Sequence, residues 1–212
     1  MSTPNAELVL YTNPMSRGRI ARWMLEETGQ PYQVELMDYG QAMKSEAYLA
    51  INPMGKVPAL RHHGVVVTET AAICAYLADA FAAAGLAPAL DDPRRGSYLR
   101  WMFLAAGPME AAITARALGM EPPAEKAGFV GYGSFDAVIG VIEQAAAQAS
   151  PWLLGESFSA ADVYLGSQIL FGLKFKSLPA HPAFAVYAQR LMQRPAWQRA
   201  AAADDALLPA KD

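Results

Sequence analysis

The sequence contains very little cysteine and no long run of either apolar or basic residues. Cys74 is the only cysteine among 212 residues, so an internal disulfide, a CxxC redox pair and a thiolate zinc cluster are excluded within one chain. No apolar stretch approaches the ~20 residues that a membrane span requires. Seventeen basic and twenty acidic side chains give a net charge of -3. Because no run of Lys and Arg could follow a phosphate backbone, nucleic-acid binding is disfavoured.

The composition is that of a chain with a substantial core. Hydrophobic residues make up 53% and charged residues 17%, which is too apolar for a disordered chain. The first residues, MSTPNAELVL, show no basic segment ahead of an apolar one. We therefore expect a cytoplasmic protein.

Strand and helix patterns alternate over the first eighty or so residues. Short apolar runs at 7–12, 33–37, 57–61 and 65–68 predict strands, the last two joined by a tight turn at His62, His63 and Gly64. Apolar residues recur at helical spacing at 17–28 and again from Ile73 to Phe81. Residues 38–51 are expected to form a short irregular helix. The order is βαβ, an irregular segment, then ββα, which predicts an α/β domain.

The second half of the chain has helical patterns alone. Residues 83–93, AAGLAPALDDP, lack periodicity and are typical of a linker. Apolar residues recur at i, i+3, i+4 and i+7 from Tyr98 and again from Phe135, and 162–171 and 183–192 predict two more helices. Pro108 is expected to kink or end the first of these helices. The predicted division is a domain at 1–83, a linker at 84–93 and an all-helical domain at 94–212.

Four segments resemble those of one family. They are 10–25 (LYTNPMSRGRIARWML), 52–60 (NPMGKVPAL), 69–77 (ETAAICAYL) and 158–165 (FSAADVYL). In order and spacing they are similar to segments of the glutathione S-transferases. The resemblance implies a thioredoxin-like N-terminal domain followed by an all-helical domain, with glutathione as co-substrate, no metal, a hydrophobic electrophile as second substrate, and a homodimer.

The resemblance implies a set of glutathione-binding residues. Pro58 stands where a strand is predicted and cannot donate to a ladder, which indicates an edge or a special backbone. In the family this proline is cis, and Val57 pairs through its main chain with the cysteinyl part of glutathione. Glu69 and Thr70 would hold the two charged groups of the γ-glutamyl end, at a helix start that favours anions. Lys56 and Lys44 are candidates to bind the glycine carboxylate of glutathione.

Conjugation needs a glutathione thiolate, and a thiol with a pKa near ~8.5 is only slightly ionised at neutral pH. The family lowers this pKa with a donor near the end of the first strand, where Tyr11, Thr12, Asn13 and Ser16 all fall. Ser16 is the first choice because it opens the first helix. Tyr11 matches another branch of the family but fits an inward-facing strand residue equally well, and Asn13 suits a branch that reduces disulfides.

Other side chains have expected roles in binding or in folding. One of Arg17 and Arg19 would bind ligand while the other pairs with an acid from the second domain. The electrophile pocket is expected between the domains, and its candidate residues are Tyr98, Met102, Phe103, Met109 and Tyr132. Ser159 and Asp162 have the spacing of a capping box, which serves folding.

Two alternative functions stay open. A glutathione-dependent disulfide reductase or peroxidase would use Asn13 or Thr12 to orient glutathione and needs no protein cysteine. A non-catalytic glutathione-binding module would keep the fold without turnover, since a fold does not determine a function.

Overall fold

The computed structural model describes residues 8–208. The chain forms two compact units, one holding the residues up to Ala84 together with those from Arg194 onward, the other holding 85–193. Glu7, which the sequence assigns to the first strand, lies outside the described residues. No helix in this described range is long and apolar enough to cross a bilayer.

The first unit is built on a four-stranded mixed sheet. Its strands are β1 (Leu8–Thr12), β2 (Gln33–Leu36), β3 (Ala59–His62) and β4 (Val65–Thr68), arranged in the order β2-β1-β3-β4. β1 is parallel to β2 and antiparallel to β3, and β3 is antiparallel to β4. The α1 helix (Gly18–Thr28) connects β1 to β2. The α/β, thioredoxin-like organisation predicted for this half is confirmed.

Two turns in this unit show how local chemistry shapes the chain. His63 and Gly64 join β3 to β4 with φ values of 48° and 81°, as a two-residue hairpin turn requires. The segment expected to be one irregular helix contains two short ones, α2 (Gln41–Lys44) and α3 (Glu46–Leu49). Ser45 separates them because its backbone is extended, and its hydroxyl caps α3 by accepting from the Tyr48 N–H.

The last helix, α10 (Pro195–Asp205), belongs to the first unit. The all-helical domain expected at 94–212 included this helix, whereas its contacts group it with the first unit. The reason is a set of ion pairs between α1 and the C-terminal segment. Among the described residues, these pairs are Arg19–Asp205 (2.6 Å), Arg22–Asp204 (2.8 Å), Glu26–Arg199 (2.8 Å) and Glu27–Arg194 (2.6 Å).

The second unit is helical, as predicted. After α4 (Thr70–Ala80) of the first unit come α5 (Arg94–Leu104), α6 (Glu110–Ala117), α7 (Phe135–Gln148), α8 (Ala160–Lys174) and α9 (Pro182–Met192). Pro108 does not end the helix, because a π-helical segment, Ala105–Met109, joins α5 to α6 and accommodates the missing N–H. The predicted linker also packs here: Leu86 is buried, and its carbonyl accepts from the Ala160 N–H at 2.8 Å.

The capping box at the start of α8 is confirmed. The Asp162 carboxylate is fully buried and accepts from the Ser159 N–H and hydroxyl, each at 3.0 Å. It also accepts from the Leu153 N–H and the Tyr187 hydroxyl, each at 2.8 Å. Burial raises the pKa of this carboxyl, and the hydrogen bonds oppose that shift. One side chain thus joins the start of α8, the preceding loop and α9.

Asp162→Ala leaves four donors without their acceptor in a buried place. We expect the free energy of unfolding to fall by about 3 to 4 kcal/mol, since each unsatisfied buried polar group is destabilising. Urea unfolding followed by the helical circular dichroism signal measures the change. Ser134→Ala is the matched control, because Ser134 caps α7 at an exposed site by accepting from the Ala137 N–H, and it should lose about 1 kcal/mol. Equal losses in the two variants would contradict the structural role of Asp162.

Candidate functional site

Three segments that carry candidate residues meet at one end of the sheet. Ala59 pairs with Tyr11 of β1 on one side and with Thr68 of β4 on the other. Because β3 is antiparallel to both neighbours, its first residue lies beside the last residues of β1 and β4. Residues 13–18, Val57–Pro58 and Glu69–Thr70 are therefore brought together at this end, although they are distant in the sequence.

The Val57–Pro58 peptide bond is cis, as the resemblance implied. Within the described part of the chain, neither the N–H nor the C=O of Val57 has a hydrogen-bond partner. Unpaired main-chain groups of this kind are able to pair with a peptide-like ligand in the manner of an added strand. Val57 is half-buried.

The carbonyl of Lys56 is held by two buried side chains. The Tyr48 hydroxyl and the Asn52 side-chain amide each donate to it at 2.7 Å. Tyr48 lies in the core of the unit, where burial raises the pKa of its hydroxyl to about 12. These two donors restrain the peptide plane that carries the Val57 N–H. No sequence pattern pointed to Tyr48 as a donor to this carbonyl.

The start of α4 has the features of an anion site. Glu69 occupies the N-cap position with φ 65° and makes no side-chain cap. A positive φ is unfavourable for a residue with a side chain and is often found at functional sites. Thr70 is the first helical residue and is 8% exposed. The free N–H groups and the helix dipole favour a carboxylate beside them.

The turn at 13–18, called here the entry turn, leads from β1 into α1. The Ser16 hydroxyl donates to the Asn13 carbonyl at 2.7 Å and accepts from the Gly18 N–H at 2.9 Å. Asn13 accepts from the Met15 N–H through its side-chain oxygen, and its side-chain amide donates to the Met37 carbonyl at 3.0 Å. Ser16 is half-buried, whereas Asn13 is 7% exposed. Of the two, Ser16 has the more accessible side chain.

Glycine at position 18 allows β1 and α1 to approach closely. A Cβ there would lie 1.8 Å from the Thr12 side-chain oxygen. Thr12 is fully buried, and its hydroxyl has no hydrogen-bond partner among the described residues. Its burial is unsuited to direct contact with a ligand sulfur.

Tyr11 is part of the hydrophobic core. It is 7% exposed and packs with Val9, Met43, Tyr48 and Ala59. The centroids of the Tyr11 and Tyr48 rings are 5.8 Å apart. This position matches the interpretation of Tyr11 as an inward-facing strand residue.

The basic residues predicted to bind glutathione differ in their exposure and in their partners within the protein. The Lys44 ammonium donates to the Met54 and Gly55 carbonyls at 3.1 Å each, so it closes a loop of the protein. Lys56 and Arg17 are exposed. Arg19 pairs with Asp205 of α10, a helix of the first unit, whereas the sequence led us to expect an acid from the second domain.

The candidate electrophile residues do not share one environment. Tyr98 and Met102 are 1% and 4% exposed, and this enclosure is typical of packing residues. Met109 is also buried, Tyr132 is half-buried and Phe103 is exposed. The helical spacing that suggested these residues is the same spacing that a core uses.

Comparison with known proteins agrees with this geometry. The family model for the glutathione S-transferase N-terminal domain matches residues 15–80. The glutathione S-transferase-like protein OpS6 of Beauveria bassiana is 27% identical over 196 residues, covering 87% of this chain and 89% of that protein.

Solved structures with the same fold extend the agreement over both units. A glutathione transferase from Methylococcus capsulatus is 28% identical with a TM-score of 0.76, covering 94% of this chain and 99% of that one. A sphingomonad glutathione S-transferase complexed with glutathione is 29% identical with a TM-score of 0.74, covering 93% of this chain and 98% of that one.

A thioredoxin-like unit followed by a helical unit is the fold that these glutathione transferases share with the chain. The family model, the relatives and the solved structures all indicate a member of the glutathione S-transferase family and support an enzyme of that class.

Cys74 lies in α4 and is fully buried, and burial raises the pKa of its thiol well above the ordinary range. In the described residues, no group of three or more His, Cys, Asp or Glu is placed to hold a metal ion. Thiol chemistry in this protein must therefore come from a ligand thiol.

We expect Cys74 to be unreactive in the folded protein, because the thiolate is the reactive form and burial disfavours it. A chromogenic aromatic disulfide should label less than about a tenth of the chains in native buffer and all of them in denaturant. Cys74→Ala should keep glutathione-dependent turnover. Fast native labelling, or loss of turnover in a folded Cys74→Ala protein, would contradict this assignment.

Proposed function

We propose that the enzyme conjugates the glutathione thiolate to hydrophobic electrophiles. The observation that carries the proposal is the free N–H and C=O of Val57 beside the uncapped start of α4, at the end of the sheet where the entry turn also lies. An extended tripeptide offers amides to the main chain of Val57 and a charged end to the start of α4. The sphingomonad relative, described with bound glutathione, supports the choice of ligand.

Each part of glutathione has a proposed partner. The cysteinyl backbone pairs with the main chain of Val57, next to Pro58. The γ-glutamyl carboxylate of glutathione binds the Thr70 N–H and hydroxyl at the start of α4, and the α-ammonium of glutathione faces the Glu69 carboxylate. Lys56 and Arg17, both exposed, are the proposed partners of the glycine carboxylate and of the ligand's polar rim.

Ser16 is the proposed donor to the sulfur. Its half-buried hydroxyl lies at the N-terminal end of α1, where Arg17 and Arg19 add positive charge. A thiolate is stabilised there by a hydrogen bond and by the helix dipole. Catalysis then consists of thiolate stabilisation and proximity of the thiolate to a hydrophobic electrophile.

The proposal also covers the oligomeric state, the cellular location and the biological role. We propose a homodimer, in keeping with the resemblance, and exposed apolar side chains are present in both units. These are Met54, Val65 and Val66 in the first and Leu99 and Phe103 in the second. A cytoplasmic location and a detoxifying role complete the proposal.

Glutathione should stabilise the folded protein, and Glu69→Ala should abolish that effect. At a hundredfold excess over Kd, binding adds about 2.7 kcal/mol to the free energy of unfolding. Glu69→Ala removes the carboxylate that faces the ammonium group, so a thermal shift titration should show no response. Glu35→Ala is the matched control because Glu35 is exposed on β2, and it should respond as the natural protein does. Absence of a shift in the natural protein would refute glutathione binding.

Ser16→Ala should bind glutathione normally and react slowly. We expect kcat with an aryl halide to fall on the order of a hundredfold, because one donor to the reacting group is lost. The thermal shift with glutathione should persist. Ser45→Ala removes a cap of the same kind from α3 and should not change kcat.

Normal turnover by Ser16→Ala would transfer the role to Tyr11 or Asn13, which Tyr11→Phe and Asn13→Ala then test. Turnover of a mixed disulfide without turnover of an aryl halide would replace conjugation by disulfide reduction. Binding without either activity would indicate a non-catalytic module.

A further inference from the structure

The C-terminal helix α10 is connected to the entry turn through Arg19. One nitrogen of the Arg19 guanidinium, Nη2, donates to Asp205 at 2.6 Å. A second nitrogen, Nε, donates to the carbonyl of Pro14 inside the entry turn. A side chain near the end of the described chain is thus two contacts away from the backbone that carries Ser16.

The other ion pairs between α1 and the C-terminal segment lie farther along α1. Arg22, Glu26 and Glu27 follow the first turn of the helix. Their hydrogen bonds to the C-terminal segment are made to Asp204, Arg199 and Arg194, and none of these bonds reaches residues 13–18. Arg19 differs because the same guanidinium spans both α10 and the entry turn.

The position of Asp205 is unfavourable for α10 itself. Asp205 is the last residue of this helix and follows Asp204. The C-terminal end of a helix carries partial negative charge, which disfavours carboxylates there. Alanine is also a better helix former than aspartate. The stability of α10 therefore gives no reason for an acid at 205, whereas the contact with Arg19 does.

We propose that Asp205 is a positioning residue for the thiol-activating turn. It holds the Arg19 guanidinium against the Pro14 carbonyl, and this contact keeps the Ser16 hydroxyl directed at the sulfur of glutathione. An arginine side chain has several accessible rotamers, and a second fixed partner selects the one that reaches Pro14. The inference rests on the proposed function, since it assigns a role to the turn that contains Ser16.

A purely electrostatic effect of Asp205 has the opposite sign. The charged groups at this end of α10 are Arg19, which pairs with Asp205, and Arg22, which together with Arg19 faces the neighbouring Asp204. Asp205 is 61% exposed, so solvent screens its charge. A negative charge raises the pKa of a nearby thiol, so the loss of the Asp205 charge alone would lower the pKa of bound glutathione. Loss of the positioning contact raises that pKa instead.

The experiment measures the pKa of glutathione bound to Asp205→Ala from the ultraviolet absorbance of the thiolate as a function of pH. We expect a rise of about half a unit to one unit and a fall in kcat of roughly threefold to tenfold. The KM for glutathione should change less than about twofold, because Val57, Glu69 and Thr70 are untouched. Asp205→Glu, which keeps the carboxylate, should restore most of the effect.

Arg199→Ala is the matched control. It removes the Glu26–Arg199 pair from the same two helices and should leave the pKa of bound glutathione unchanged. An unchanged or lowered pKa in Asp205→Ala would overturn the proposal. The same rise in Arg199→Ala would overturn it too, because general loosening of α10 would then explain the result.

Amide hydrogen exchange of residues 13–18 without glutathione provides a second measurement. Exchange should be faster in Asp205→Ala than in Arg199→Ala, and equal rates would overturn the coupling. This measurement separates the two possible failures. A natural protein that does not bind glutathione refutes the proposed function, while the exchange rates still decide whether Asp205 orders the turn.

Discussion

The pairing of Ala59 with two strands is the constraint on which the site depends. Ala59 is fully buried and lies opposite both Tyr11 and Thr68. A slip of one residue in either pairing would turn the side chains of a strand to the opposite face. The register is therefore set by burial. The register in turn brings together the three segments that adjoin the ends of β1, β3 and β4. The residues just beyond the strands are free of ladder hydrogen bonds and are able to face a ligand.

Much of this candidate site consists of main-chain groups, which do not depend on particular side chains. The N–H and C=O of Val57 and the N–H groups at the start of α4 exist whatever side chains are present. Sequence matters at the positions that shape the backbone. Pro58 follows the cis bond, and Gly55 has φ 58° with no room for a Cβ beside Lys44 and Met43. Solved structures below 30% identity thus share the fold.

Local patterns predicted the strands, most helices and the capping box because each is decided by neighbouring residues. Ser159 and Asp162 are three positions apart, and β4 runs from Val65 to Thr68 as its apolar run indicated. Long-range partners left no such signal. Arg22 and Asp204 are 182 positions apart, so the docking of α10 on α1 could not be found from periodicity. Tyr48, which holds the Lys56 carbonyl, lies in a segment without a regular pattern.

The hydrogen bonds of Ser16 bear on how a hydroxyl lowers the pKa of a thiol. In the free protein its proton is directed at the Asn13 carbonyl, 2.7 Å away. A hydrogen bond to an ionised acceptor is roughly twice as strong as one between neutral groups. A thiolate therefore competes well with the carbonyl for this proton, whereas a neutral thiol does not. Since the hydroxyl stabilises the thiolate and not the neutral thiol, it favours ionisation of the thiol.

The Gly18 N–H, which donates to the oxygen of the Ser16 hydroxyl, polarises this hydroxyl further and makes it a better donor. The selectivity depends on keeping the turn in place, because a displaced hydroxyl would reach neither acceptor well.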